Sequence, residues 1–268
     1  MFIAKFLASS LLASRSPIRT VRRDGLIWEL DLREGIDLSI YVFGAFQRRV
    51  IEVINKKLRP GDTFIDVGAN RGAISAVLAR RNPQCQVVAV EPTSECYRKL
   101  MRCIELNSPL LKNFFAHQVF LADSSCRVLP DSIGASWNLY RFRAEGNSIG
   151  AIGCTTGGAK VCSLDDFMAS TGINKLSLLK LDVDGNEEDV LSGSIQTLER
   201  HRPLIVIEWA SSVIAESGRS PRSMAHQLSD LGYTPMVIGS RSLRPLDWPT
   251  LLMPHRSQKS IDLLLESR

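Results

Sequence analysis

From Thr63 onward the chain alternates between two hydrophobic periods, and that alternation limits the folds open to it. Thr63 to Val67 is an apolar run around one acid, and Gly72 to Arg81 repeats its apolar residues at helical spacing. Gln86 to Val90 and Ser94 to Asn107 repeat the pair, and Phe115 to Leu121 adds a third strand. Leu176 to Val183 and Glu187 to Arg200 supply another strand and helix, followed by an apolar strand at Leu204 to Trp209. Strands covered on both faces read as near-continuous apolar runs, and strands separated by helices pair in parallel. After a helix near Ser223 to Leu231, strands at Tyr233 to Ile238 and Ser260 to Leu265 are joined by a loop, which predicts antiparallel pairing. The expected fold is α/β: an open, mostly parallel sheet with helices on both faces and an antiparallel C-terminal edge.

The flanking segments are less regular. Gly25 to Phe46 reads as short strands, with Leu26, Trp28 and Leu30 alternating with Ile27, Glu29 and Asp31 and Gly35 at a turn. Phe46 to Leu58 reads as a helix with Val50, Ile51, Ile54 and Leu58 on one face, stopped by Pro60 and Gly61. Residues 25–58 thus form an N-terminal extension of strands and helix to a domain spanning 25–268. The stretch from Cys126 to Lys160 holds Gly134, Gly146, Gly150, Gly153, Gly157 and Gly158 around Trp137, Tyr140, Arg141, Phe142 and Arg143. A loop of this length inside a compact domain points to function, and a cover over the ligand crevice is expected.

The net charge of +5 is confined to one end. Lys5, Arg15, Arg19, Arg22 and Arg23 lie in residues 1–23 without an acid, and the 33 bases less these five equal the 28 acids. A nucleic-acid reader carries its basic stripe on the folded domain, so no nucleic-acid partner is expected. Phe2, Ile3, Phe6, Leu7 and Leu11 recur at helical spacing before the arginines. Residues 1–24 accordingly read as a basic amphipathic segment touching a membrane surface, as a transit peptide, or as an ordinary packed helix. Cys85, Cys96, Cys103, Cys126, Cys154 and Cys162 show no metal-ligand spacing and suit a cytoplasmic protein with reduced thiols.

Open α/β sheets bind ligands beyond the carboxyl ends of their strands. The first strand ends in Asp66-Val67-Gly68-Ala69-Asn70-Arg71-Gly72 and runs into a helix. Gly68 and Gly72 permit a tight turn, and Asn70 is a residue type that tolerates a left-handed conformation. Glu91 ends the second strand nineteen residues after Gly72, where an acid can accept hydrogen bonds from ribose hydroxyls. The spacing is not Gly-x-Gly-x-x-Gly, which argues against a nicotinamide dinucleotide, and no phosphate-binding Lys-Ser/Thr follows. A loop opened by Asp66 suits a cationic ligand, and S-adenosylmethionine carries a sulfonium, an α-amino group and a ribose.

Several segments in order strengthen this reading: Pro60-Gly61-Asp62-Thr63-Phe64-Ile65-Asp66-Val67-Gly68-Ala69-Asn70-Arg71-Gly72, then Val88-Ala89-Val90-Glu91-Pro92, then Ser163-Leu164-Asp165-Asp166. Lys180-Leu181-Asp182-Val183-Asp184-Gly185-Asn186-Glu187, Val190-Leu191 with Gly193, and Pro203-Leu204-Ile205-Val206-Ile207-Glu208 follow. Together, over roughly residues 25–210, they resemble the FkbM family of methyltransferases. The resemblance implies a seven-stranded class I methyltransferase (Rossmann-like) fold and methyl transfer from S-adenosyl-L-methionine, typically to oxygen. By the same resemblance Asp66, Gly68, Asn70 and Gly72 surround the methionine part of the cofactor. Glu91 binds its ribose, and Asp123 lies near the adenine amino group. An acceptor hydroxyl on a sugar, glycan, glycolipid or secondary metabolite is implied as well. Two positions depart from the family: Asp184 stands where Glu is more usual, and Gln47 where a Glu often closes a Gly-x-aromatic-Glu segment.

A hydroxyl acceptor must lose a proton, so a base or a metal is needed. Lys180, Asp182 and Asp184 share one face at the end of their strand, with Glu208 at the end of the next. Asp182, Asp184 and Glu208 are the candidate catalytic residues. One of them acts as general base, with Asp182 or Asp184 favoured, or the oxygen cluster holds a divalent cation. Asp184 and Glu187 have a second reading as a helix capping box. His226 and His255 are rival bases, whereas His117 and His201 show no metal spacing.

Overall fold

The computed structural model describes residues 16–123, 129, 131–136, 152–253 and 260–267. The apolar segment at Phe2 to Leu11, the aromatic stretch at Trp137 to Arg143, Cys126 and His255 lie outside these residues. Among the described residues, no helix is long and apolar enough to cross a membrane.

The N-terminal extension opens with a hairpin of β1 (Ile18–Arg23) and β2 (Leu26–Asp31), turned at Asp24 and Gly25, both at positive φ. Where strand continuation is expected, residues Gly35–Phe43 form a helix, α1. Ile36, Ile40 and Val42 are β-branched and favour a strand locally. The helix buries Leu38 and Ile40 together with Asp37, only 1% exposed, which pairs with Arg71, itself 3% exposed. This tertiary contact interrupts the apolar stripe that would have announced a helix. Helix α2 (Arg48–Lys57) then buries Val50, Ile51, Val53 and Ile54. It starts two residues later than expected because Gln47 adopts a left-handed conformation, φ 44°.

The body follows the alternation: β3 (Thr63–Val67), α3 (Ser75–Arg81), β4 (Gln86–Val90), α4 (Ser94–Leu106) and β5 (Phe114–His117). The expected strand to Leu121 breaks at Gln118, whose amide donates to the carbonyl oxygens of Pro92 and Gly157. The chain leaves the sheet there as β6 (Val119–Leu121). Beyond it, β7 (Ser132–Ser136) and β8 (Ile152–Thr155) form an antiparallel hairpin inside the stretch expected to be a loop. Strand β9 (Lys160–Cys162) pairs in parallel with β6, and α5 (Leu164–Thr171) follows, capped by Ser163. After β10 (Leu178–Leu181), the single helix expected over 187–200 is two, α6 (Glu187–Ser192) and α7 (Ile195–His201). Gly193 is the C-cap of α6, and its missing side chain lets the Ala122 carbonyl oxygen approach: a Cβ there would lie 2.3 Å from it. The remaining elements are β11 (Leu204–Trp209), α8 (Ser211–Glu216), α9 (Pro221–Asp230), β12 (Tyr233–Ile238), β13 (Leu243–Pro245), α10 (Trp248–Leu251) and β14 (Ile261–Ser267).

The main sheet has eight strands in the order β13-β12-β14-β11-β10-β3-β4-β5. Strands β11, β10, β3, β4 and β5 are mutually parallel, and β14 runs antiparallel to both β11 and β12. This is a class I methyltransferase sheet with its antiparallel edge. It exceeds the implied seven strands by β13, a three-residue return ending at Pro245, a residue that sheets tolerate at an edge. Successive residues alternate between two cores. Phe64, Val87, Leu178, Val206 and Leu264 pack under the N-terminal extension, α3 and α4. Ile65, Val88, Leu179, Ile205 and Leu263 pack on the opposite face with Phe167, Val190, Leu198 and Met224.

Candidate active site

The parallel strands point their carboxyl ends at one rim, where a cavity of about 380 Å³ opens. Its floor is the sheet edge with Asp66, Lys180, Asp182 and Glu208, and its opposite wall is Ile36, Phe46 and Gln47 of the N-terminal extension. Gly68, Asn70 and Asp184 complete it.

The loop after β3 can take this path only with its particular residues. Gly68 has φ 78°, and a Cβ there would stand 1.8 Å from the Asp182 carbonyl oxygen, so β3 and β10 converge over a missing side chain. Asn70 is left-handed at φ 52°, as its residue type suggested, and its Oδ1 accepts from the Arg71 N–H at 2.8 Å. Gly72, at φ 79°, makes its close approach to the core: a Cβ would meet Leu100 Cδ1 at 2.6 Å. It stands behind the cavity wall.

Glu91 is buried and also stands outside the wall. Its Oε2 accepts from the Asn70 N–H at 2.8 Å, and its Oε1 accepts from the Thr93 N–H and hydroxyl at 2.9 and 2.6 Å. It thereby ties the β3 and β4 loops together. Burial pushes its carboxyl up against these hydrogen bonds. Asp123 is half-buried just past β6, away from the cavity lining.

The strand-end carboxylates do converge. Lys180, 4% exposed, lies between two of them, 3.3 Å from Asp66 Oδ1 and 3.0 Å from Asp182 Oδ2. Asp66 Oδ2 accepts from the Ser75 hydroxyl. Burial works to lower the Lys180 pKa, but the Asp182 and Asp66 charges outweigh it and raise it. Burial opposes ionisation of Asp182 too. Lys180 and hydrogen bonds from Glu208, Lys180 and Gln47 outweigh that, holding its carboxyl below the usual range. Glu208 pays the balance: burial, the Asp182 charge and its hydrogen bond to Asp182 push it up to about 8. At neutral pH, Glu208 is the protonated partner donating to the Asp182 carboxylate.

Asp184 sits at the open rim in a left-handed conformation, φ 50°. Desolvation in the cleft, then the charges of Asp182, Glu187 and Glu91, push it up to about 7. The capping-box reading is corrected here. The N-cap of α6 is Asn186, and Glu187 turns back so that its Oε1 accepts from the N–H groups of Val183 and Gly185 at 3.1 and 3.3 Å. Glu187 shapes the loop that presents Asp184. His226 lines a separate groove with Arg222 and Trp248, His117 stacks edge-on against Phe167, and His201 ends α7.

Asp262, which sequence reasoning passed over, belongs to this cluster. It stands opposite Glu208 in the antiparallel register of β11 and β14. Burial and the Asp182 charge push it up to about 6. Its signal was an acid in an otherwise apolar strand, Ile261-Asp262-Leu263-Leu264-Leu265, informative only once that strand is paired with the one ending in Glu208. Among the described residues, no three or more His, Cys, Asp or Glu side chains are grouped so as to hold a metal ion.

Curated relatives share sequence with this chain. It is 29% identical over 181 residues to methyltransferase sdnD of Sordaria araneosa, covering 58% of this chain and 70% of that one. It is 25% identical over 184 residues to the 2-O-methyltransferase NoeI of Sinorhizobium fredii, covering 63% of this chain and 70% of that one. The solved structure of methyltransferase FkbM from Methylobacillus flagellatus KT is similar at a TM-score of 0.49 and 14% identity, covering 82% of this chain. The match takes in 48% of that longer protein, so this chain spans about half its length. Residues 66–235, more than half of the chain, match the Methyltransferase FkbM domain, and the chain belongs to the FkbM methyltransferase family.

Proposed function

We propose that this methyltransferase transfers the methyl group of S-adenosyl-L-methionine to a hydroxyl oxygen on a sugar, glycan, glycolipid or secondary metabolite. The observation that carries the reading is the cavity at the carboxyl ends of β3, β10 and β11. Four acids, Asp66, Asp182, Asp184 and Glu208, line it and one lysine partly neutralises them. Such a lining favours a ligand with positive charge over a pyrophosphate. The 2-O-methyl transfer named for NoeI supports oxygen as the acceptor atom.

When bound, the cofactor supplies an electrophilic methyl carbon. The chain's own residues align and deprotonate. Asp66, Gly68 and Asn70 hold the amino-acid end, with Gly72 fixing the turn beneath them. Glu91, which ties the β3 and β4 loops together, would bind the ribose, and Asp123 would lie towards the adenine. Ile36 and Phe46 exclude water from the floor, which strengthens every charge interaction there. Asp182, Asp184 and Glu208 handle the hydroxyl proton, and the Lys180 ammonium already supplies the cluster with a cation, so a base is favoured over a bound metal.

Titration calorimetry with S-adenosylhomocysteine tests the cofactor half of the reading. Saturable binding by the wild type, weakened at least tenfold in Glu91→Ala, is expected. A folded wild type that binds nothing sinks it and leaves a non-catalytic role for the fold. The acceptor half is tested by methyl transfer to panels of sugars and metabolites. Exposed Ile18, Val42 and Phe43 lie on the basic N-terminal extension. They favour contact of residues 1–23 and this extension with an anionic membrane, which sedimentation with phosphatidylserine vesicles checks.

A further inference from the structure

The sheet sets three carboxyls in a row. Leu181 is in register with Ile207, which places Asp182 beside Glu208, and Glu208 is in register with Asp262. Neighbouring strands lie about 4.8 Å apart, so these side chains share one face within contact distance. A single ammonium, Lys180, stands at one end of the row, where it also pairs with Asp66 of β3. Ser260 and Gln47 supply hydrogen bonds, the first to Glu208 and the second to Asp182. Three adjacent acids beside one shared cation cannot all ionise, and the proton stays on Glu208, between the other two.

That arrangement is sensitive to a charge arriving in the cavity. Asp182 and Glu208 both line it. A unit positive charge about 5 Å away, as a base bonded to the acceptor oxygen would require, favours an ionised carboxyl by roughly two-hundredfold at an effective dielectric near 20. S-adenosylmethionine and S-adenosylhomocysteine differ by one such charge, the sulfonium.

We propose that Glu208 is the proton acceptor of the reaction and is armed by the cofactor: the sulfonium's arrival expels the Glu208 proton, and the sulfonium's loss on methyl transfer lets Glu208 take the proton of the acceptor hydroxyl. This rests on the proposed cofactor site. The balance closes. The acceptor oxygen forms a bond to the methyl carbon, the carbon–sulfur pair stays on sulfur, and the O–H bond breaks with its proton passing to the Glu208 carboxylate. The proton leaves when the next cofactor displaces the product. Asp262 is a positioning residue, whose negative charge beyond Glu208 keeps the proton there in the resting state.

Calorimetric titration of the full chain at neutral pH, in phosphate and in Tris, reads the protons released on binding without any acceptor. More protons are expected with S-adenosylmethionine than with S-adenosylhomocysteine, the difference approaching one. For each whole proton released, affinity rises about tenfold per pH unit, so the sulfonium form tightens more steeply between pH 6 and 8. Glu208→Gln removes most of the difference while still binding S-adenosylhomocysteine, and His201→Gln, at the end of α7 and outside the cavity, keeps it. Equal proton counts for the two ligands in the wild type overturn the proposal, even if Glu208→Gln does not fold. So does a difference that survives Glu208→Gln and disappears in Asp184→Asn. Binding of neither ligand refutes the cofactor reading itself, and this proposal with it.

Discussion

The two sides of the cavity are built on opposite principles. On the sheet side, Asp66, Lys180, Asp182, Glu208 and Asp262 are held on adjacent strands as one charged cluster. The N-terminal side is an apolar surface, Ile36 and Phe46, joined to the cofactor loop by the buried Arg71–Asp37 pair. Arg71 also donates to the Glu29 carbonyl oxygen at 2.7 Å and lies 5.6 Å from the Trp28 ring centre. The comparison separates two tasks. The sheet carries chemistry on its strand ends, whereas the extension shapes the space an acceptor enters and is attached through a shared apolar core and polar links such as Arg71–Asp37 and Lys99–Glu34.

The largest expected effects come from breaking that attachment. Asp37→Ala or Arg71→Ala leaves an uncompensated charge in the core and should cost about 3–5 kcal/mol. Replacing both residues by apolar ones should cost much less than the sum, because the surviving charge is the penalty. Urea denaturation of the two single variants and the double variant measures this. Equal additivity would show that the pair does not bind extension to loop.

On the sheet side the matching test is Gly68→Ala. The clash with the Asp182 carbonyl and the left-handed backbone together should cost about 3–4 kcal/mol. Gly61→Ala is the control: φ is 84°, nothing lies within 4 Å of its would-be Cβ, and the cost falls to about 1–2 kcal/mol. Similar thermal shifts for the two variants would mean that β3 and β10 do not need their close approach.

This contrast also explains what was legible in the sequence. Strands β3, β4, β11 and β12 stand close to where their apolar runs placed them, because a strand covered on both faces leaves no ambiguity of period. Asp66, Asp182, Asp184 and Glu208 were found because strand ends place them at one rim, and the family resemblance ordered them. The extension was harder to read. Helix α1 buries Asp37 against Arg71, 34 residues away in sequence, and no local pattern reports that contact. Gly193 ends one helix where a continuous one was read, with Ala122 packed against it, and Asp262 gained meaning only from antiparallel register. Gly72 and Glu91, read from the sequence as cofactor residues, also shape the loops: Gly72 makes room for Leu100 and Glu91 accepts from Asn70 and Thr93.

A pH series sharpens the account of the sheet side. Glu208, Asp184 and Asp262 are raised acids, so the folded state binds more protons than the unfolded one between about pH 4 and about 8. Their stabilising contribution is fully present at low pH and is lost as pH rises through about 6, 7 and 8. Asp182 acts in the opposite direction, losing its contribution as pH falls through its depressed pKa. Glu208→Gln keeps a donor towards Asp182 without a titrating proton. Measured against its value near pH 5, it should therefore gain on the wild type by up to about 4 kcal/mol above pH 8. A constant gap in melting temperature across that range would place the shared proton elsewhere.

The smallest expected effect joins the two sides. Gln47 belongs to the extension yet donates to Asp182 from the far side of the row. Gln47→Glu retains size and the left-handed backbone but sets a fourth carboxyl against the other three. Burial and like charge should keep it protonated at low pH, where its stability matches the wild type, and a loss of about 1 kcal/mol should develop as pH rises. The added negative charge should favour the sulfonium form of the cofactor over S-adenosylhomocysteine by up to about tenfold. If instead the variant changes only acceptor preference, with both cofactor affinities untouched, Gln47 works as part of the apolar wall and the row of carboxyls ends at Asp182.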